Sequence, residues 1–311
     1  MIRDARTPVV VVTGFLGSGK TTLLNRLLSR EKDSLAIVNE FGEVGVDHHL
    51  VDSAEERTVA LPNGCLCCRL RGDLEETLVG AAMRRRRGDI AGFDRVIVET
   101  SGLADPGSVA QTLFADQALA RDYRPGPVIT VVDAADAEGR KSAAEVARAQ
   151  IAAADVIVLS KTDRARDVDG VKSEIPELNP SVRCIPAIFG QIDPAVLLEA
   201  TSGNDKAFLA SATHAAGIHT FVLRFERPVP RALLDRFIAT LVELRGADLL
   251  RVKGMVRLDS GELVLVQGVR HVFDRLRPVA RGESALVFIT RDLGSTEVEA
   301  LWGALAGLAR S

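Results

Sequence analysis

The sequence predicts an α/β fold: a mostly parallel sheet covered by helices, followed by a smaller α+β domain. Three observations carry that expectation. Short apolar runs alternate with helical segments over the first two-thirds of the 311 residues, the pattern of strands joined by crossover helices. The stretch Thr201-Ser-Gly-Asn-Asp-Lys-Ala has the composition of a linker. After about His214 the pattern changes to strands around a hairpin signal, Asp259-Ser260-Gly261, with a helix on either side. The expected division is residues 1–205 and 214–311.

In chain order, the apolar runs place strands at Val9–Thr13, Leu35–Asn39, Arg95–Glu99, Val128–Asp133, Val156–Ser160 and Arg183–Ala187. Helices are expected at Gly19–Ser29, Asp73–Arg85, Ser108–Leu113, Ala143–Ala153 and Pro194–Ala200. In the second domain strands are expected at Thr220–Phe225, Leu250–Leu258, Glu262–Val269 and Leu286–Thr290, with helices at Val229–Arg245 and Thr296–Arg310.

Composition narrows the function classes. The chain is 47% apolar and 26% charged, ample for a buried core, and carries a formal net charge of −3. No global basic field draws it to nucleic acid or to a membrane surface. No apolar run reaches the ~18 residues of a membrane span, and Met1-Ile-Arg-Asp-Ala-Arg lacks a signal-peptide core. Three of the four cysteines fall within four residues, Cys65-Leu-Cys67-Cys68, a spacing poorly suited to a disulfide framework; a reducing cytosol is the expected setting.

The first strand runs into Gly14-Phe-Leu-Gly17-Ser18-Gly19-Lys20-Thr21-Thr22, and a helix follows. That is the context of a phosphate-binding loop. Glycines let backbone N–H groups wrap the phosphates, and the helix N-terminus adds partial positive charge. Lys20 is expected to neutralise β and γ phosphates, and the Thr21 hydroxyl to bind Mg²⁺. Glu99-Thr-Ser-Gly102 ends a later strand; the acid could hold a magnesium-bound water or orient the attacking one, and Gly102 could sense the γ-phosphate. Ser160-Lys161-Thr162-Asp163 resembles the Asn-Lys-x-Asp segment that reads guanine in GTPases. There Asp accepts from N1–H and the N2 amino group, a pattern adenine cannot supply, and the Lys stem packs along the base. Ser160 stands where Asn is usual, and its shorter side chain is expected to lose the tether to the phosphate loop.

The cysteine cluster lies about fifty residues beyond that loop. Thiolates are soft ligands suited to Zn²⁺, and Cys65, Cys67 and Cys68 could supply three of four tetrahedral positions. Arg69, Arg71 and a helix beginning near Asp73 would lower the thiol pKa values. Glu40 is the candidate for a further ligand, in Asn39-Glu40-Phe-Gly-Glu43-Val-Gly-Val-Asp47-His48-His49, and Asp47 could approach Mg²⁺. His48 and His49 read more readily as solvated. Vicinal redox thiols and a structural zinc knot are the competing readings of the cluster.

Taken together and in this order, GFLGSGKTT, NEFGEVGVDH, CLCC, ETSGLADP and SKTD resemble the CobW-like family of metallochaperone GTPases. The resemblance implies a P-loop GTPase domain, Mg²⁺-dependent hydrolysis of GTP to GDP, and Zn²⁺ or Co²⁺ at the cysteine cluster. By position, residues 14–22, Glu40, the three cysteines, Glu99 and Lys161 to Asp163 take those roles. It also implies a C-terminal domain that contacts a metal-requiring client protein; a homodimer dependent on nucleotide or metal is a further expectation. The chain lacks the histidine-rich tract of some members, which suits one exchangeable ion. Two other readings stand beside this one: a P-loop kinase acting on a small molecule, disfavoured by SKTD, ETSG and the want of an arginine-rich lid, and a GTPase reporting on thiol redox state.

Overall fold

Four consecutive valines make β1, Thr7–Thr13, a strand buried on both faces, and such strands occupy the middle of parallel sheets. Around it the computed structural model, which describes residues 5–31, 33–38, 58–60, 68–107, 119–136, 144–180, 182–198, 213–215 and 217–308, forms a seven-stranded sheet. Its other strands are β2 Ser34–Val38, β3 Thr58–Ala60, β4 Arg95–Glu99, β5 Tyr123–Asp133, β6 Val156–Ser160 and β7 Arg183–Pro186. The order is β3-β2-β4-β1-β5-β6-β7, and every pairing is parallel. Alternate residues of the strands face two layers of helices. On one face Val10, Val12, Ile97, Ile129, Val131 and Val158 meet Leu23, Leu24 and Leu27 of α1, Lys20–Arg30. On the other, Val9, Ile37, Val96 and Val98 meet Leu74, Leu78 and Ala82 of α2, Cys68–Arg87. Shorter or later helices follow: α3 Leu119–Asp122, α4 Ala144–Ala153, α5 Val168–Leu178 and α6 Pro194–Leu198.

The remaining strands are β8 Thr213–Ala215, β9 Ile218–Arg224, β10 Leu249–Arg257, β11 Leu263–Val269, β12 Val272–Phe273, β13 Arg277–Pro278 and β14 Ala285–Arg291. They form an antiparallel sheet in the order β12-β11-β10-β14-β9-β8, with β13 also on β11. Helices α7, Arg231–Arg245, and α8, Ser295–Leu308, bury Leu234, Phe237, Leu241 and Val298 against Phe221, Val252, Val266 and Phe288. Trp302 stands edge-on to Phe225 and Phe237, a core position. By compactness the chain divides into Met1–Lys172 with Arg183–Ser202, and Ser173–Val182 with Gly203–Ser311.

Several elements differ from the sequence reading. Helix α2 begins at Cys68, five residues before the expected start, and β3, α3, α5, β8, β12 and β13 were not anticipated. The expected helix at 108–113 and the linker at 201–207 lie outside the described residues. Arg84, Arg85, Arg86 and Arg87 close α2 and are all exposed. Arg85 donates to Thr7 Oγ1 at 2.9 Å and stacks over the Phe93 ring, and Arg86 pairs with Asp122. Among the described residues no helix is long and apolar enough to cross a membrane.

Candidate functional site

Because every strand of the first sheet runs the same way, the loops after them leave at one edge, where open α/β sheets bind ligands. The register fixes which loops are neighbours. Val38 pairs with Ala60 on one side and Glu99 on the other, Glu99 pairs with Val12, and Asp133 pairs with Ser160. The loops following β3, β2, β4 and β1 therefore depart from adjacent, level strand ends.

The loop after β1 has the shape its glycines allow. Gly14 sits at φ 141°, where a Cβ would collide with the Val131 carbonyl, so a larger residue would push the loop off the sheet. Gly19, also left-handed, immediately precedes α1. The Ser18 N–H donates to Phe15 O at 3.2 Å, and Lys20 Nζ reaches back to the same carbonyl at 3.1 Å. A mostly buried ammonium folded over a loop of backbone amides at a helix N-terminus is a site for a polyanion.

Thr21, in the first turn of α1, donates its Oγ1 proton to Glu99 Oε1 at 2.8 Å. Glu99 is only 5% exposed at the end of β4. A hydroxyl and a carboxylate held together at a phosphate loop are hard oxygen donors of the kind Mg²⁺ takes, so the residues present fit that ion. The next residue is pinned as well. Thr100 N–H donates to Val12 O, and Thr100 Oγ1 to Thr13 Oγ1, both at 2.9 Å. Gly102 then lies directly against the phosphate loop, since a Cβ there would stand 2.7 Å from the backbone nitrogen of Leu16.

Sequence reasoning missed what holds this last contact. Gln150 on α4, 1% exposed, donates through Nε2 to Gly102 O and Ala104 O, each at 3.1 Å. Its backbone carbonyl accepts from Thr130 Oγ1 at 2.8 Å. The side-chain amide thus ties the loop after β4 to α4, and the backbone carbonyl of the same residue ties α4 to β5. Its only sequence signal was a lone uncharged polar residue in the apolar run Ala149-Gln150-Ile151-Ala152.

The loop after β6 corrects one expectation. Ser160 does tether the phosphate loop: its Oγ donates to Ser18 O at 2.6 Å, and lies 3.3 Å from Val132 O. The short hydroxyl suffices because the two loops are close, with Ser160 Cβ 3.9 Å from where a Gly19 Cβ would be. Lys161, at φ 52°, adds a second tie, donating to Gly17 O at 2.8 Å and Asp133 Oδ2 at 2.6 Å. Asp163 is partly exposed, with Arg164 at 3.8 Å.

Glu40, Asp47, Cys65 and Cys67 lie outside the described residues, and of Cys68 the backbone alone is described, at the first position of α2. Among the described residues no group of three or more His, Cys, Asp or Glu could hold a metal ion. The remaining cysteine, Cys184, is partly buried in β7, and burial pushes its thiol up to about 11, with Lys172 opposing. It is a poor nucleophile and a poor ligand near neutral pH. His271 packs over Gly246.

Comparison with known proteins agrees with this arrangement. Residues 8–186 match the model of the CobW/HypB/UreG nucleotide-binding domain, and residues 218–306 that of the cobalamin synthesis protein cobW C-terminal domain. A protein of Escherichia coli K12 described as zinc chaperone YjiA is 34% identical over 96% of this chain and 98% of its own length. One of Pseudomonas aeruginosa described as zinc chaperone CobW is 31% identical over 87% of this chain and 82% of its own. The crystal structure of Zn(II)-bound YjiA GTPase from E. coli superposes with a TM-score of 0.68 at 26% identity, covering 96% of this chain and 99% of that one. The chain belongs to the CobW family of GTPases.

Proposed function

We propose that this GTPase is a metallochaperone: it binds Zn²⁺, with Co²⁺ as the alternative cargo, at Cys65, Cys67, Cys68 and Glu40, and hands it to a metal-requiring client under control of the GTP/GDP state. The zinc-chaperone relatives support the class of cargo. The observation that carries the coupling is the strand register. The segment bearing Glu40 leaves β2 at Val38, level with Glu99, and the segment leading to Cys65 leaves β3 at Ala60, level with Val38. Helix α2, which opens at Cys68, packs Leu74 and Leu78 on the strand that ends at Glu99. A shift of the β4 loop on loss of the γ-phosphate would therefore act on both chain segments proposed to hold the ion. Linkage makes that coupling reciprocal: whatever GTP does to metal affinity, the metal does to GTP affinity.

In this reading the residues divide the work as follows. Backbone amides of residues 14–19 and Lys20 hold the β and γ phosphates. Mg²⁺ held by Thr21, with Asp47 and Glu99 directly or through water, supplies charge neutralisation on the phosphate oxygens. Glu99 orients the attacking water, Gly102 reports the γ-phosphate, and Ser160, Lys161 and Asp163 hold and select guanine. The proposed functional division is 1–205 for hydrolysis and 214–311 for client contact, and the proposed setting is the cytosol. A homodimer formed with nucleotide or metal is part of the same proposal.

The test is Cys67→Ala. It should leave GTP binding within about twofold of the parent, abolish tight Zn²⁺ binding, and remove any response of GTP turnover to Zn²⁺. Parental Zn²⁺ affinity in the variant, or a parent whose turnover never responds to Zn²⁺ or Co²⁺, contradicts the proposal. Redox sensing predicts instead that turnover follows oxidant on metal-free protein. A kinase would leave phosphate on an acceptor.

A further inference from the structure

We infer that Phe189 is the stacking platform for the purine ring of the bound nucleotide. The inference rests on guanine-nucleotide binding at the phosphate loop and adds to it a residue that sequence reading did not single out. Phe189 has φ 50° and the following Gly190 φ 67°, and Gln191 N–H donates to Ile188 O at 2.9 Å. Residues 188–191 thus form a tight turn with both central residues left-handed, positions that favour Gly, Asn and Asp. An aromatic residue there is strained, and strain of this kind concentrates where a side chain is used. Phe189 is also 67% exposed and Ile188 45%, so no interior contact recovers the strain.

The turn stands where a base would be met. It follows β7, and Ala187 N–H donates to Leu159 O at 2.8 Å, extending the β6–β7 ladder to the residue before Ser160. Gly190 abuts the first turn of α1, with Thr22 O 3.2 Å and Leu23 Cα 3.3 Å from where its Cβ would be. The turn is therefore bounded by the helix that follows the phosphate loop and by the strand that leads into Lys161 and Asp163. A nucleotide with its phosphates on residues 14–21 and its base at Asp163 runs along this rim. Lys161, fixed by Gly17 O and Asp133, lines one flank of that path, and an exposed aromatic ring on the turn supplies the other. Stacking tolerates any purine, so Phe189 adds affinity and leaves base choice to Asp163.

The experiment compares GDP with inorganic tripolyphosphate, which has no base, on the full chain carrying Phe189→Ala, Phe189→Trp or Phe189→Gly. Phe189→Ala should weaken GDP about tenfold or more and leave tripolyphosphate within twofold. Phe189→Trp should keep GDP affinity and show fluorescence quenched by GDP above the Trp302 background, but not by tripolyphosphate. Phe189→Gly should raise the melting temperature of nucleotide-free protein while weakening GDP, opposite signs that a merely structural residue would not give. Equal loss of GDP and tripolyphosphate affinity, or GDP affinity unchanged in Phe189→Ala, overturns the inference. A parent that binds ADP as tightly as GDP would sink the guanine reading alone, since the loss in Phe189→Ala would then appear on both nucleotides.

Discussion

The parallel sheet of the first unit and the antiparallel sheet of the second are alike in size and differ in where they keep buried polar groups. In the first, Thr13, Ser18, Lys20, Glu99, Thr100, Thr130 and Gln150 are buried at the carboxyl-terminal strand edge or in elements fastened to it, against Thr7, Ser34 and Asp155 at the amino-terminal ends of the strands. In the second, the core is built on aromatic packing, with Phe221 and Phe288 stacked at 5.2 Å and Trp302 edge-on to two phenylalanines. Its buried polar groups, Thr220, Arg251, Gln267 and Thr290, are spread over four strands; Thr290 Oγ1 donates to Leu293 O, and Glu297 accepts from the Gly294 N–H just before α8. The difference follows from strand direction. A parallel sheet delivers all its loops to one edge, where polar side chains can converge on one ligand. Antiparallel strands send alternate loops to opposite ends.

Four substitutions and a pH series sharpen that contrast. Lys20→Ala should lower GTP turnover by about 10²–10³-fold, the size of losing one donor to developing charge in a buried site, and leave the melting of the second unit in place. Trp302→Ala should do the reverse: about 3 kcal/mol of stability lost, read by denaturant titration, with GDP affinity within twofold. If Trp302→Ala weakens GDP as strongly as Lys20→Ala slows turnover, the division of labour between the two units fails. Gln150→Leu leaves the carbonyls of Gly102 and Ala104 without their donor and should destabilise the first unit by about 2 kcal/mol. It should also change the ratio of GTP-analogue to GDP affinity, because the loop it holds lies against Leu16. Ser160→Ala removes the tie to Ser18 O and should weaken nucleotide by about fivefold, roughly 1 kcal/mol. Unchanged affinity would show that Lys161 alone holds the two loops together.

The pH series acts on the first unit and is silent near neutrality. Burial, reinforced by Asp122, pushes the Tyr123 phenol up to about 12, and burial pushes the Cys184 thiol up to about 11. Both groups keep their protons to higher pH in the folded chain than in the unfolded one. Their stabilisation is therefore complete below about pH 9, declines as the unfolded thiol and phenol ionise, and is gone above about pH 12. Melting curves from pH 8 to 12 should fall for the parent, and Cys184→Ala should flatten the lower part of that decline.

Sequence patterns revealed the sheet and the phosphate loop because both depend on local rules: continuous apolar strands, and glycines at fixed offsets before Lys20 and Thr21. β4 and β6 emerge at the residues expected, Arg95–Glu99 and Val156–Ser160. Helix α5 was hidden because Gly170 and Pro176 interrupt its pattern, and Pro176 sits inside it nonetheless. β3 was hidden by its length of three residues, although its register sets Ala60 level with Val38 at the end of β2. The roles of Gln150 and Ser160 depend on how near α4 and the phosphate loop come to their partners in space, a distance no spacing along the chain encodes. The proposed metal ligands show the opposite case: Cys65, Cys67 and Cys68 stand out in the sequence, while their proposed relation to Glu40 depends on three strands lying side by side.

The measurement that bears most directly on the proposed coupling is a competition titration of Zn²⁺ against a chromogenic chelator, with the protein saturated first with a non-hydrolysable GTP analogue and then with GDP. The account predicts tighter Zn²⁺ binding in the GTP-analogue state, by about tenfold or more, and the same factor in analogue affinity when Zn²⁺ is the ligand held saturating. Equal Zn²⁺ affinity in the two nucleotide states would contradict it.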